Sequence, residues 1–370
     1  MTGGLAGGPV GIAVVGAGVI SDQYLSNLIR FPDLKVIAVA DVDQERAAAS
    51  AAAHGVPASG DLEAVLAIPD VELIVNLTPP AAHVAVASAA LSAGRHVYGE
   101  KPLATELKPG QDLLALAEAL GLRVGSAPDS FLGAGLQSAI RAFDAGLIGE
   151  PIAVTAAFQS RGPESWHPSP EFLFQVGAGP LFDMGPYYLT ALIALLGPAE
   201  NVAAVARRPH GRRTIGSGPK AGREFDVEVP THVQALLDFA SGPSATLTVT
   251  FDSQLPRTQI EVTGTEGTLI LPDPNNYGGP LRIRARGEEE DRELPVEGTE
   301  VQRGIGVLDL ARSIRAGVPH RASGATALHV LDIMATVIAS AESAAFLRPT
   351  TVAERPAVLP VGWDPFERTL

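Results

Sequence analysis

Apolar and polar positions along the first third of the chain alternate in blocks. Short apolar runs at Val10–Val15, Leu34–Ala40, Val71–Leu77 and His96–Tyr98 predict strands. Between them, Val19–Ile29, Asp43–His54 and Ala81–Ala93 carry the longer period of helices. Strands separated by helices of this length need a crossover at every step, which predicts a parallel, doubly wound α/β sheet. The pattern changes after about Asp129. A helix at Leu136–Ala145, a break at Gly149-Glu150-Pro151, a strand at Ile152–Phe158 and a helix at Pro186–Leu196 come first. Strand patterns then dominate, at Val202–Arg207, His232–Phe239, Ala245–Phe251, Thr258–Thr263, Thr268–Leu271 and Leu281–Arg286. Turns such as Gly264-Thr265-Glu266-Gly267 separate them, so this half is expected to be an antiparallel sheet covered by helices on one face. Two late helices follow at Gly306–Ala316 and Ser323–Ala345. Pro209–Gly222, rich in Arg, Gly and Ser, reads as an exposed loop, and Glu288–Asp291 as a solvated turn. The domains expected from this pattern are 1–129 and 130–370.

Composition narrows the class without changing the picture. At 370 residues the chain is longer than one hydrophobic core usually serves, and 46% hydrophobic with 18% charged residues is a globular balance. A net charge of −14 repels a phosphate backbone, so nucleic acid is not an expected partner. Without cysteine there are no disulfides, thiolate nucleophiles or cysteine-held metals, and no metal site is expected. The start lacks the pattern of a secretory signal, and no apolar run is expected to reach the ~20 residues of a membrane helix. The expected location is the cytoplasm, with no membrane partner.

The chemistry begins at Val15-Gly16-Ala17-Gly18-Val19-Ile20-Ser21. Gly16 permits a tight turn after a strand, Gly18 lets a pyrophosphate approach the backbone, and the amides of Val19 and Ile20 open a helix whose positive end suits phosphate. Ser21 stands where the strict pattern has a third glycine, and is small enough for close packing. Asp41 ends the next strand, 25 residues after Gly16, where a carboxylate accepts hydrogen bonds from the adenosine ribose hydroxyls. A carboxylate there repels a 2′-phosphate, so NAD is expected in preference to NADP. Thr78 and Pro79 follow the third strand, with His83 one helical turn on, and could line the nicotinamide side; an ordinary proline-capped helix start explains them equally.

Glu100-Lys101-Pro102 follows the fourth strand, at the same carboxyl edge of the sheet. A lysine there offers a positive group near a reacting carbon, or is a surface lysine in a turn. Further on, Asp183, Pro186, Tyr187 and Tyr188 lie in one segment. Because proline is tolerated in a helix's first turn, Pro186 is expected to start a helix, with Asp183 at its N-terminus and Tyr187 on the same face. Asp, Tyr and Lys together make a proton-relay set, while an N-cap aspartate before core aromatics is the simpler alternative. Trp166-His167-Pro168 reads as a loop in which tryptophan can stack on a sugar ring and His167 can bind hydroxyls, or as an aromatic anchor. His329, inside an apolar helix, reads as a core histidine.

In this order the motifs resemble the glucose–fructose oxidoreductase / inositol dehydrogenase family, Gfo/Idh/MocA. The likeness runs from the Gly16–Ser21 turn through Thr78-Pro79, Glu100-Lys101-Pro102, Gly146–Pro151 and the Asp183 helix to Gly267–Leu271 and Ala327-Leu328. It implies an N-terminal Rossmann domain and an α+β C-terminal domain whose large, open, mostly antiparallel sheet lines a substrate cleft. It also implies a nicotinamide cofactor, Lys101 and Asp183 in the active site, and a cis Lys101–Pro102 bond. Many inositol-dehydrogenase-like members place histidine four residues after the aspartate. Tyr187 stands there instead, as in the glucose–fructose oxidoreductase, aldose dehydrogenase and dihydrodiol dehydrogenase branches. The expectation is a sugar or cyclic polyol dehydrogenase with Lys101, Asp183 and Tyr187 as catalytic residues, Glu100 and Lys101 among the cofactor contacts, Trp166 and His167 as further substrate contacts, and a homodimer or homotetramer. Two other readings stay open: an enzyme that holds its cofactor tightly and makes a transient keto sugar, and a non-enzymatic dinucleotide-binding regulator.

Overall fold

The computed structural model describes residues 7–370, and the chain divides into two compact units. One comprises the chain up to Ala134 with Gly298–Leu328 and Pro356–Leu370; the other comprises Gly135–Glu297 and His329–Arg355.

The first unit carries six strands: β1 (Val10–Val15), β2 (Leu34–Ala40), β3 (Ala58–Gly60), β4 (Leu73–Asn76), β5 (His96–Gly99) and β6 (Val124–Ser126). All pair in parallel, in the order β3-β2-β1-β4-β5-β6. The order reverses between β1 and β4, and a sheet of this kind opens its ligand crevice there, beyond the strands' carboxyl ends. β1 is buried at every position because helices cover both faces. Two strands and two helices escape the hydrophobic pattern. β3 and β6 are three residues each, too short to show a period, and Leu62–Leu66 is little more than one turn. Leu107–Ala119 carries Pro109 and Gly110 in its first turn, which read as a break.

Where the pattern gave one boundary near residue 129, two late segments return to the first unit. Charged ties hold them. Arg312 donates to Asp33, whose side chain is wholly buried, at 2.7 Å, and Arg315 pairs with Glu72 at 2.6 Å. Asp129 accepts from the amides of Gly304 and Gly306, at 3.0 and 2.9 Å, at the start of the helix Ile305–Ala316. Periodicity carries no trace of such distant pairings.

The second unit is built on an eight-stranded sheet. Its strands are β7 (Pro151–Gln159), β8 (Ala199–Arg207), β11 (His232–Phe239), β12 (Ser244–Thr250), β13 (Arg257–Gly264), β14 (Gly267–Ile270), β15 (Leu281–Ala285) and β16 (Arg292–Leu294). β9 (Arg212–Thr214) and β10 (Glu224–Asp226) pair apart from it as a small hairpin. The order is β16-β15-β14-β13-β7-β12-β11-β8, and every neighbouring pair is antiparallel except β12 with β7. Burial alternates along β11, the mark of a sheet covered on one face. The helix Gly179–Leu196 packs on β11 and β12, while Val205 and Leu236 stay exposed.

Three expectations are corrected here. The helix begins at Gly179, so Pro186 lies in its interior, and Pro180 is the proline of the first turn. Asp183 is therefore one turn inside the helix rather than at its start. Pro209–Gly222 is exposed over most of its length, yet β9 lies in it, and Arg213 and Ile215 are turned inward. Finally, the helix Gly324–Ser343 is 20 residues long with a mean hydropathy of 1.5, long and apolar enough to cross a membrane. Of its apolar 18-residue stretch 67% is buried in the fold, and His329 and Asp332 have partners there. His329 lies beside the Ala199 amide and the Thr351 hydroxyl, and Asp332 accepts from the amides of Thr350 and Thr351. His329 is the core histidine that the sequence suggested.

Candidate active site

In the first unit, the expected residues Gly16, Gly18, Val19, Ile20, Asp41, Thr78, Pro79, His83, Glu100 and Lys101 follow the carboxyl ends of β1, β2, β4 and β5 in one sheet. Gly16 has φ +103°, and a Cβ there would stand 2.7 Å from the Leu77 carbonyl, so both conformation and contact demand glycine. A Cβ at Gly18 would meet nothing within 4 Å, because the N-terminal approach to the helix α1 (Val19–Leu28) is open. That open cradle, with Val19 exposed and the first amides of α1 lacking partners inside the helix, fits a pyrophosphate. Ser21 is buried and donates its hydroxyl to the Gly18 carbonyl, at 2.6 Å.

Asp41, just past β2, has its side chain 7% exposed. It accepts from the Ala17 amide at 2.7 Å, the Asp43 amide at 2.9 Å and Arg46 Nη2 at 2.6 Å. Burial alone would oppose its ionisation, but the hydrogen bonds from Arg46, Asp43 and Ala17 outweigh it and hold the carboxyl below its usual range. The carboxylate is thus held ionised, and a half-exposed guanidinium lies against it. Arg46 is not among the residues expected from the sequence; its place in the first turn of the helix Gln44–Ala53, five residues after Asp41, is the available signal.

The end of β4 is a polar knot. Buried Asn76 donates to the His83 carbonyl at 3.0 Å and accepts from the Thr78 hydroxyl at 2.6 Å. His83 is buried, with Nδ1 2.7 Å from the Pro102 carbonyl and Nε2 2.8 Å from that of Thr78. Both ring nitrogens are engaged by backbone, so His83 ties the Lys101-Pro102 turn to the β4 end, while Thr78 is half-buried and Pro79 exposed. The Lys101–Pro102 bond is cis. Glu100 accepts from the Tyr24 hydroxyl at 2.8 Å and from the Lys101 amide at 3.0 Å, with Arg303 4.0 Å away. Lys101 is half-buried. The turn is gripped from both sides.

In the second unit, Asp183 and Tyr187 are four residues apart on one helix and share a face, Asp183 half-buried and Tyr187 buried. Tyr188 is wholly buried with its ring 6.4 Å from that of Phe158, and burial drives its phenol pKa up, as suits a core residue. Trp166 is 67% exposed. His167 lies between Trp166 and Phe172, each ring 5.5 Å away and edge-on. Its Nδ1 accepts the Ser169 amide at 3.0 Å, which leaves Nε2 to carry the ring proton outward.

Two family models match this chain. One, described as an oxidoreductase family with an NAD-binding Rossmann fold, matches residues 10–127. The other, the GFO/IDH/MocA C-terminal domain, matches residues 136–270, and the two stretches together exceed half of the chain. A dTDP-3,4-didehydro-2,6-dideoxy-alpha-D-glucose 3-reductase of Streptomyces antibioticus is 36% identical over 196 residues, 52% of this chain and 58% of that one. The chain thus matches little more than half the length of that relative. A 1,5-anhydro-D-fructose reductase of Ensifer adhaerens is 26% identical over 77% of this chain and 82% of its own length. Among solved structures, an NAD binding oxidoreductase from Klebsiella pneumoniae has the same fold, with a TM-score of 0.82 at 24% identity over 93% of this chain and 100% of that one.

Proposed function

This chain belongs to the GFO/IDH/MocA family of oxidoreductases, and on that premise we propose that it moves a hydride between nicotinamide C4 and a hydroxyl-bearing carbon of a sugar or related cyclic polyol. The observation that carries the reading is the arrangement at one sheet edge: an open glycine cradle, a poised Asp41 carboxylate, and a Glu100-Lys101-Pro102 turn locked by His83 and Tyr24. The names of the sugar reductases it resembles support the substrate class.

The dinucleotide, when bound, supplies the hydride acceptor or donor. The chain's residues do the rest. Gly16, Gly18 and the amides of Val19 and Ile20 hold the pyrophosphate, and Asp41 accepts from the ribose hydroxyls. Thr78 and Pro79 border the nicotinamide. Tyr187 removes the proton of the substrate hydroxyl as its C–H hydride leaves, or returns it in reduction. The Lys101 ammonium steadies the substrate oxygen, and Asp183, one turn from Tyr187 on the same helix, orients the phenol. Trp166 packs on the sugar, and His167 Nε2–H donates to a hydroxyl. The Asp41 carboxylate supports NAD over NADP, because it repels a 2′-phosphate. The exposed sheet face around Val205 and Leu236 supports pairing of copies into a homodimer or homotetramer, which light scattering would test.

The deciding test offers NAD and a panel of sugars and cyclic polyols and follows the absorbance of the reduced nicotinamide, with Lys101→Ala as the control. Reduction with one of them, lost in the variant, is the expected result. Nucleotide binding without turnover on any of them would make the chain a regulator. Nucleotide released only on denaturing fresh protein would indicate a tightly held cofactor.

A further inference from the structure

The long connection from Ser160 to Ala178 has only two short 3₁₀ turns, at Pro163–Ser165 and Glu171–Phe174. It nevertheless holds Trp166, Phe172 and Val176 at the surface, exposed by 67, 56 and 84%. A stretch of this kind is floppy unless something fixes it. What fixes it is the hairpin β9–β10 with its flanks. The amide of Gly216 donates to the Glu164 carbonyl at 2.8 Å, the Ser217 hydroxyl to the Trp166 carbonyl at 2.7 Å, and Lys220 to Glu171 at 2.7 Å.

At the centre stands Arg213. Its side chain is 8% exposed, and it pairs with Glu164 on the connection and with Asp252 just after β12, themselves 13 and 15% exposed. It also donates to the Phe251 carbonyl at 3.2 Å, and its guanidinium lies 5.2 Å from the ring centre of Phe174, in the second 3₁₀ turn. Asp252 is held in turn by the Thr231 hydroxyl at 2.6 Å. One side chain therefore clamps both 3₁₀ turns, and Trp166 and His167 lie between them. The planar fork of arginine suits this task, since it meets two carboxylates and a carbonyl at once.

We propose that Arg213 is a positioning residue: it sets the Trp166–His167–Phe172 edge that receives the ring of the substrate. The inference rests on the sugar reading above. It predicts that loosening the clamp weakens sugar binding and leaves nucleotide binding untouched.

Only two tryptophans exist, Trp166 and Trp363, so in a Trp363→Phe background the emission reports on Trp166 alone. Into that background go Arg213→Lys and, as the milder variant, Glu164→Gln. The second keeps the shape of the side chain, leaves Arg213 paired with Asp252, and removes a carboxylate whose Oε2 is buried without a partner among the described residues. Both variants are expected to raise acrylamide quenching of Trp166, and Arg213→Lys to raise KM for the sugar about tenfold. kcat at saturating sugar and the calorimetric Kd for NAD should hold. Unchanged quenching in both variants overturns the inference whatever the enzymology shows. A fall in kcat at unchanged KM overturns it equally, since that is loss of active protein. If the parent turns over no sugar, the sugar reading has failed, and the quenching result still decides whether Arg213 sets Trp166.

Discussion

In the first unit, the groups expected to hold the cofactor follow the ends of parallel strands, and partners close by in sequence fix most of them. Asp41 takes the Asp43 amide and the Arg46 guanidinium from within five residues, and the Ala17 amide from 24 away; Asn76, Thr78 and His83 bond among themselves within seven residues. In the second unit, Trp166 and His167 hang on a connection whose anchors lie far along the chain, Arg213 being 49 residues from Glu164 and 39 from Asp252. A dinucleotide has invariant phosphates and riboses, which backbone turns at a sheet edge can serve. A substrate surface is assembled from loops, and only long-range ties can fix it. The two regions should therefore fail differently when disturbed.

The largest effect is expected at Lys101. Lys101→Ala should lower kcat/KM by about 10³, within the range of a lost acid–base or oxygen-holding group, at little cost in Kd for NAD. A loss of nucleotide affinity as large as the loss of rate would instead place Lys101 on the cofactor. Next comes the clamp of the second unit. Arg213→Met leaves two carboxylates, of Glu164 and Asp252, together at low exposure, and should cost about 3 kcal/mol in a denaturant titration. A loss below about 0.5 kcal/mol, the value of a surface pair, would show that the cluster is solvated.

A pH effect of intermediate size belongs to the first unit. His96, at the start of β5, has its pKa lowered from 6.5 to about 4, by burial first and by the charge of Arg123 second, with Glu72 opposing. The unfolded chain then takes up a proton near pH 6.5 that the folded chain refuses until about pH 4. Stability should fall through that window by about 3 kcal/mol as pH drops, and be unaffected by this group above it. His96→Gln should flatten the slope of Tm against pH there, and an unchanged slope would remove His96 as its source. Asp33, Asp41 and Glu72, all lowered despite burial by their hydrogen bonds and Arg partners, add a further loss only below the ordinary carboxylate range.

The smallest effect tests the nucleotide choice. Asp41→Ser removes the carboxylate and leaves Arg46 to meet a 2′-phosphate. The ratio of the Kd values for NADP and NAD should shift toward NADP by about tenfold, or about 1.4 kcal/mol. An unmoved ratio would mean that Asp41 does not face the ribose.

Sequence alone determined what local pattern can encode. Apolar runs and glycine turns gave the doubly wound sheet, the antiparallel sheet, and the place of Gly16, Gly18, Asp41 and Lys101, because a turn or a strand end depends on neighbours a few residues away. Proline grammar was sound but attached to the wrong proline, since Pro180 and Pro186 both satisfy it and only packing extends the helix back to Gly179. Tertiary structure decided everything whose partners are distant. It tied His83 Nδ1 to the Pro102 carbonyl, returned the late segments to the first unit through Asp33 and Glu72, and turned Arg213 inward from a segment that reads as exposed. A charged side chain has one appearance in a sequence whether it is solvated or clamped. Which of the two it becomes depends on the desolvation of its surroundings and on carboxylates that the fold, not the local chain, brings to it.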